Sequence, residues 1–140
     1  MNLERLYQNF DVLENWEDRY KLIIDLGKKL PSFPEDQKTE ENRVRGCMSQ
    51  VWLIPKKQEK QSDSFKFVAD SDAMIVRGLI AILQMVFNNK SAQEILKIDI
   101  KDIFKKLGLE KHLSPGRSNG FFSMVEKIKL LSIQSLSKAS

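Results

Sequence analysis

The stretch from Ala73 to Phe87 constrains this chain more than any other. It is apolar all the way round a helical projection, broken only by Arg77, Gly78 and Gln84. A helix of that kind has to be wrapped by other elements. Asp70 and Ser71 stand where caps belong and predict a helix from Asp72 to Asn88. Gly78 costs about 1 kcal/mol of helix propensity, and close packing against a neighbour would offset that. The run is shorter than the ~20 residues of a membrane span, so no membrane contact is expected.

The flanking segments supply the wrapping. Val51-Trp52-Leu53-Ile54, stopped by Pro55, and Phe65-Lys66-Phe67-Val68-Ala69, with Phe65, Phe67 and Ala69 on one face, read as an antiparallel hairpin across a charged turn from Lys56 to Ser64. A two-stranded ribbon needs a helix against its apolar face. Upstream, Leu3, Leu6, Tyr7 and Phe10 recur at helical spacing, and Asn15 caps a second helix from Trp16 to Leu30 that Pro31 ends. Downstream, Ser91 and Glu94 form a capping box for a helix through Lys97. Asp99 caps another through Leu107, ended by Gly108. Leu109 to Asn119 reads as irregular. A last helix runs from about Ser118 to Ser135, with Ser135 to Ser140 as a frayed tail. The sum is one α+β domain of 140 residues, a small antiparallel sheet packed against helices.

Charge excludes more than it suggests. The 23 Lys and Arg and 19 Asp and Glu are interspersed, whereas nucleic-acid binders cluster their basic residues. One cysteine and one histidine are too few for a zinc site and allow no internal disulfide. No glycine-rich phosphate loop is present. No metal, cofactor or nucleic acid is therefore expected. Asp70 and Asp72 read as helix caps rather than a catalytic carboxylate pair. No basic-then-apolar leader opens the sequence, so a cytoplasmic setting is expected.

Cys47 remains as the one candidate for covalent chemistry. Free cysteines are commonly buried and inert. This one, however, ends a polar connection over residues 31–46, long for a compact domain, and follows Gly46, which permits backbone conformations closed to other residues. Arg43 and Arg45 precede it at a spacing of two, so an extended backbone puts both on its side. At ~7 Å and an effective dielectric of ~40, each favours the thiolate by roughly 1 kcal/mol. A Cys47–His112 pair is formally open, but His112 lies between Leu109 and Leu113 and reads as structural. Arg117, in a turn of small residues, fits an anion contact and a plain surface position equally.

Four segments carry a resemblance. They are Asn15-Trp16-Glu17-Asp18-Arg19-Tyr20 with Ile24-Asp25-Leu26-Gly27; Val44-Arg45-Gly46-Cys47-Met48-Ser49-Gln50-Val51-Trp52; Asp70-Ser71-Asp72-Ala73-Met74-Ile75-Val76-Arg77-Gly78-Leu79; and His112-Leu113-Ser114-Pro115-Gly116-Arg117-Ser118-Asn119-Gly120. In this order they resemble the SufE family of sulfur-acceptor proteins over nearly the whole chain. One departure is Gly116, where the family leads one to expect a larger residue.

The resemblance implies a fold akin to the scaffold protein IscU, with the active cysteine at a loop tip. It implies that Cys47 takes sulfane sulfur as a persulfide from a cysteine desulfurase of the SufS or CsdA type, stimulates that enzyme, and passes sulfur to the SufBCD complex for iron–sulfur cluster assembly. The pyridoxal phosphate (PLP) of that reaction belongs to the desulfurase. Arg45, Gly46, Ser49 and Gln50 beside Cys47, with Asp72, His112 and Arg117 from the other segments, are expected to support the site. Cys47 is expected to rest against apolar residues near the hairpin, held there with help from Asp72 and Arg117, and to swing out for transfer. A homodimer is left open. The alternative is an adaptor that activates a desulfurase by docking alone.

Overall fold

The computed structural model describes residues 1–56 and 64–139, with side chains through residue 135. Two short helices lead, α1 (Leu3–Val12) and α2 (Trp16–Lys28). Asn2 caps the first through its side chain, which accepts from the Arg5 amide, and Asn15 caps the second by accepting from the Asp18 amide. After a single 3-10 turn at Glu35–Gln37 come strands β1 (Val51–Pro55) and β2 (Phe67–Ser71), antiparallel in the register Val51↔Ser71 to Pro55↔Phe67. The charged turn expected from Lys56 to Ser64 falls almost wholly outside the described residues. Helices α3 (Met74–Phe87), α4 (Ala92–Lys97), α5 (Ile100–Lys106), α6 (Leu109–His112) and α7 (Pro115–Ala139) complete the order.

The apolar stretch is the centre, as its pattern requires. In α3, Leu79, Ile80, Ile82, Leu83 and Phe87 are at most 1% exposed, each worth about 1.5–3 kcal/mol in surface removed from water. Its most extensive neighbour is α2, and the crossing explains Gly78. A Cβ on Gly78 would strike the backbone carbonyl oxygen of Ile23, and one on Gly27 would lie 2.6 Å from the Gly78 nitrogen. The hairpin lays Leu53, Phe67 and Ala69 on the same core, and Phe65 joins them from a bridge to Lys90. No helix among the described residues is long and apolar enough to cross a membrane.

Three local expectations are corrected. Asp70 and Ser71 do not cap α3; they finish β2, and Ala73 stands at the cap position, its own amide donating to Ser71 Oγ at 3.1 Å. Asp72 does not cap it either. The stretch from Leu109 to Asn119 is mostly helical: α6 occupies its start, and α7 begins at Pro115. There the Ser114 hydroxyl accepts from the Arg117 amide at 3.3 Å, and proline sits at the first helical position, where its missing N–H costs nothing. At the other end, helical backbone runs past Ser135 to Ala139.

Candidate functional site

The long connection ahead of Cys47 is anchored along most of its length. Phe33 and Val44 are buried. The Asn42 side chain donates to the Gln37 carbonyl at 2.9 Å. The Asn42 carbonyl accepts from the Leu53 amide at 2.9 Å, and the Val44 amide donates to the Val51 carbonyl at 2.8 Å, with Arg43 bridging Trp52. Residues 42–44 thus add a short third rung to the edge of β1. A charge cluster reinforces them: Lys38 Nζ lies 3.3 Å from Asp70 Oδ2 and over the Trp52 ring, while Arg77 Nε lies 3.1 Å from Asp70 Oδ1 at an angle that makes an ion pair without a hydrogen bond.

The far end is anchored as well. The Gln50 amide donates to Asp72 Oδ1 at 3.0 Å, and the Asp72 amide donates to the Gln50 carbonyl at 3.3 Å. Between these anchors, no cross-strand backbone bond holds residues 45–49 among the described residues. The free loop is therefore far shorter than the sequence suggested, and Cys47 stands in its middle.

That loop leans on α7. Gly46 has φ +87°, the left-handed region that favours glycine, and a Cβ there would lie 2.6 Å from Ser123 Oγ. Cys47 Sγ donates to the Gly120 carbonyl at 3.6 Å, and a Cβ on Gly120 would lie 3.3 Å from the sulfur. A cavity of ≈ 30 Å³ adjoins the thiol, walled by Val51, Val76, Leu79, Phe121 and Met124 and rimmed by Met48, Ser49 and Arg117. Such a space suits one small group.

Burial pushes the Cys47 thiol above its ordinary range, and the positive charge of Arg43 opposes this without reversing it. The shift runs opposite to the one expected from two upstream arginines, because only Arg43 acts on the thiol and desolvation of the thiolate outweighs its attraction.

The other expected residues divide. Asp72 and Gln50 meet at the loop's far anchor, and Ser49 and Arg117 line the rim of the cavity. Gly46 supplies the turn. Arg45 is exposed; its charge bears on Lys127, whose ammonium donates to the Arg43 carbonyl at 3.5 Å. The ring of His112 stacks on Trp16 at 4.5 Å and 8°, in contact with α2, and makes no pair with the thiol. A Cβ on Gly116 would press on Met48 Sδ, part of a flexible and exposed side chain that can move aside. Sequence reasoning missed Lys38, Asp70 and Arg77 as an anchor, and Ser123 and Lys127 as neighbours of the loop. The available signal was the run of small residues at positions 116, 120 and 123, which is helical spacing.

Comparison with known proteins agrees with this architecture. The family model described as "SufE: Fe-S metabolism associated domain" matches residues 4–132. The chain belongs to the SufE family. Among curated SufE relatives, an uncharacterised SufE-like protein of Rhizobium meliloti is 48% identical over 129 residues, covering 91% of this chain and 92% of the relative. One from Rhizobium etli is 45% identical over 129 residues, covering 91% and 87%. The solution structure of a hypothetical protein from Thermus thermophilus superposes with a TM-score of 0.75 over 96% of both chains at 17% identity, which establishes likeness of fold. SufE membership places the protein in iron–sulfur metabolism, among the proteins that work with desulfurases.

Proposed function

We propose that this SufE protein is a sulfur carrier, with Cys47 as persulfide acceptor from a PLP-dependent cysteine desulfurase of the SufS or CsdA type. It stimulates that enzyme and delivers sulfur to a SufBCD-type assembly. The observation that carries the reading is the position of Cys47: a lone thiol in a five-residue free span (residues 45–49) between two anchors, resting on α7 beside a small apolar cavity.

The chemistry runs on this chain's own residues. In the resting loop, burial keeps the thiol protonated. Moving the loop off α7 restores water to the sulfur and returns it to the ordinary cysteine range, where a few per cent is thiolate at pH 7. The Cys47 thiolate then attacks the outer sulfur of the donor's cysteine persulfide. A new S–S bond forms at Cys47, the donor's S–S bond breaks, and the donor cysteine leaves as a thiolate that takes up the proton Cys47 gave up. No net oxidation occurs. An acceptor of moderate acidity is best for such exchange, since very acidic thiols are poor nucleophiles. The absence of a second cysteine leaves no internal thiol to discharge the product, and the apolar cavity offers the outer sulfur shelter on return. Asp72, holding Gln50, and Arg117, on the rim, are the residues we assign to the resting position. A carrier thiol of this kind fits a reducing compartment such as the cytoplasm.

The test is intact mass after incubation with a cysteine desulfurase and cysteine. The chain should gain the mass of one sulfur, lose it to a reductant, and gain nothing as Cys47→Ser. If the Cys47→Ser variant stimulates the desulfurase as well as the parent does, the protein is a docking adaptor and the carrier reading fails.

A further inference from the structure

The segment from Arg43 to Met48 runs antiparallel to α7 along a single face. Met48 Sδ sits against Gly116, Cys47 Sγ against Gly120, Gly46 against Ser123, and the Arg43 carbonyl against Lys127. The spacing 116, 120, 123, 127 returns to one side of a helix at each step. The first three positions are small, and each admits backbone or sulfur where a larger side chain would stand. The last is the only charged one, and its half-buried stem delivers an ammonium to the carbonyl at the hinge of the loop.

We infer that Lys127 and Ser123 are positioning residues for Cys47: Lys127 clamps the hinge carbonyl of Arg43, and Ser123 sets how closely Gly46 seats on α7. The two act on the thiol through the loop, since the sulfur's hydrogen bond goes to the Gly120 carbonyl. The clamp is of the charge-assisted kind, but long at 3.5 Å and therefore at the weak end of its class. It is also strained electrostatically. Burial and the nearby Arg45 both hold the Lys127 amine below the ordinary lysine range. The Arg43 carbonyl shares its peptide unit with the Val44 amide of the rung, so the bond fixes the near anchor of the loop against α7 and need not break when residues 45–49 open. The importance of opening rests on the sulfur-carrier reading; the clamp itself does not.

The experiment is alkylation of Cys47 by iodoacetamide at pH 7.5, with no desulfurase present, alongside urea unfolding of each variant. Lys127→Met keeps the alkyl stem and removes the charge. It should label several-fold faster than the parent, with a loss of unfolding stability no larger than that fold-change implies. Lys127→Arg should restore slow labelling. Ser123→Val adds bulk under Gly46 and should also speed labelling. Folded K127M labelling at the parental rate, or K127R labelling as fast as K127M, overturns the role of Lys127. Folded S123V at the parental rate overturns that of Ser123, and S123V carries the cradle test if K127M does not fold. Sulfur loading from a desulfurase, measured separately, distinguishes a failed clamp from a failed carrier.

Discussion

At the scale of single residues, the protein turns on which force acts on one thiol. Burial against Gly120 and the cavity wall disfavours the thiolate and outweighs the attraction of Arg43. The consequence has a definite sign. Below the unfolded value of ~8.5, both folded and unfolded chains keep the proton and burial of the thiol carries no penalty. As pH rises past that value the unfolded chain ionises first, and folded stability is lost until the raised folded pKa is passed. Urea unfolding of the parent and of Cys47→Ser should therefore diverge above about pH 8.5, the parent losing stability relative to the serine variant. Parallel curves up to pH 10 would show that burial does not govern the thiol. Asp72 acts at the same scale. Asp72→Ala strips the Gln50 amide of its acceptor, a bond worth about 1 kcal/mol, and alkylation of Cys47 should quicken several-fold at pH 7.5. Unchanged labelling would remove Asp72 from the latch.

At the scale of elements, the decisive contact is the crossing of α2 and α3. Gly78→Ala puts a methyl group onto the Ile23 carbonyl oxygen, which is backbone and has no rotamer to escape into. Overpacking of a core costs typically 1–3 kcal/mol and more where backbone must move, so a loss of about 3 kcal/mol in urea unfolding is expected despite alanine's better helix propensity. A neutral or stabilised variant would mean that the helices separate freely. A close approach at Gly78 was legible in the sequence, because a glycine inside an otherwise apolar helix weakens it unless a neighbour packs closely there; that α2 is the neighbour was not. The hairpin, the capping box at Ser91 and Glu94, and the cap at Asp99 were legible for a similar reason: each is a local rule with a local cause. The start of α7 was not. Gly116, Ser118, Asn119 and Gly120 look like a turn to any propensity argument, and only packing against Met48 and Cys47 rewards small residues inside that helix. Asp70 and Ser71 misled in the opposite way, since cap-forming residues also end strands, and the ion pairs with Lys38 and Arg77 that settle the role of Asp70 depend on tertiary structure. The position of Cys47 could be read from its motif, whereas its burial and the direction of its pKa depend on α7, more than 70 residues away.

At the scale of the whole molecule, the described residues divide into a rigid body and a brief exception. The rung at residues 42–44, the Asp70 cluster and the Gln50–Asp72 pair tie the connection to the hairpin, and the hairpin to α3, so residues 31–44 belong to the body despite their polar sequence. Among the described residues, only 45–49 lean on α7 without a cross-strand backbone bond. Local opening draws on the parts of a fold with few such bonds, so motion should be confined to this span and need not loosen the core. Amide hydrogen exchange resolves the two cases. The amides of Gly46, Cys47 and Met48 should exchange quickly, at rates that low urea leaves unchanged, because their opening exposes little surface. Those of Val44 and Leu53, which hold the rung, should exchange slowly and accelerate with urea together with Leu79 to Leu83 of α3. If the Val44 amide instead exchanges as fast as that of Met48, the hinge lies nearer Pro31 and the whole connection moves. The thiol's travel would then be set by the Lys38–Asp70 ion pair rather than by the contacts on α7.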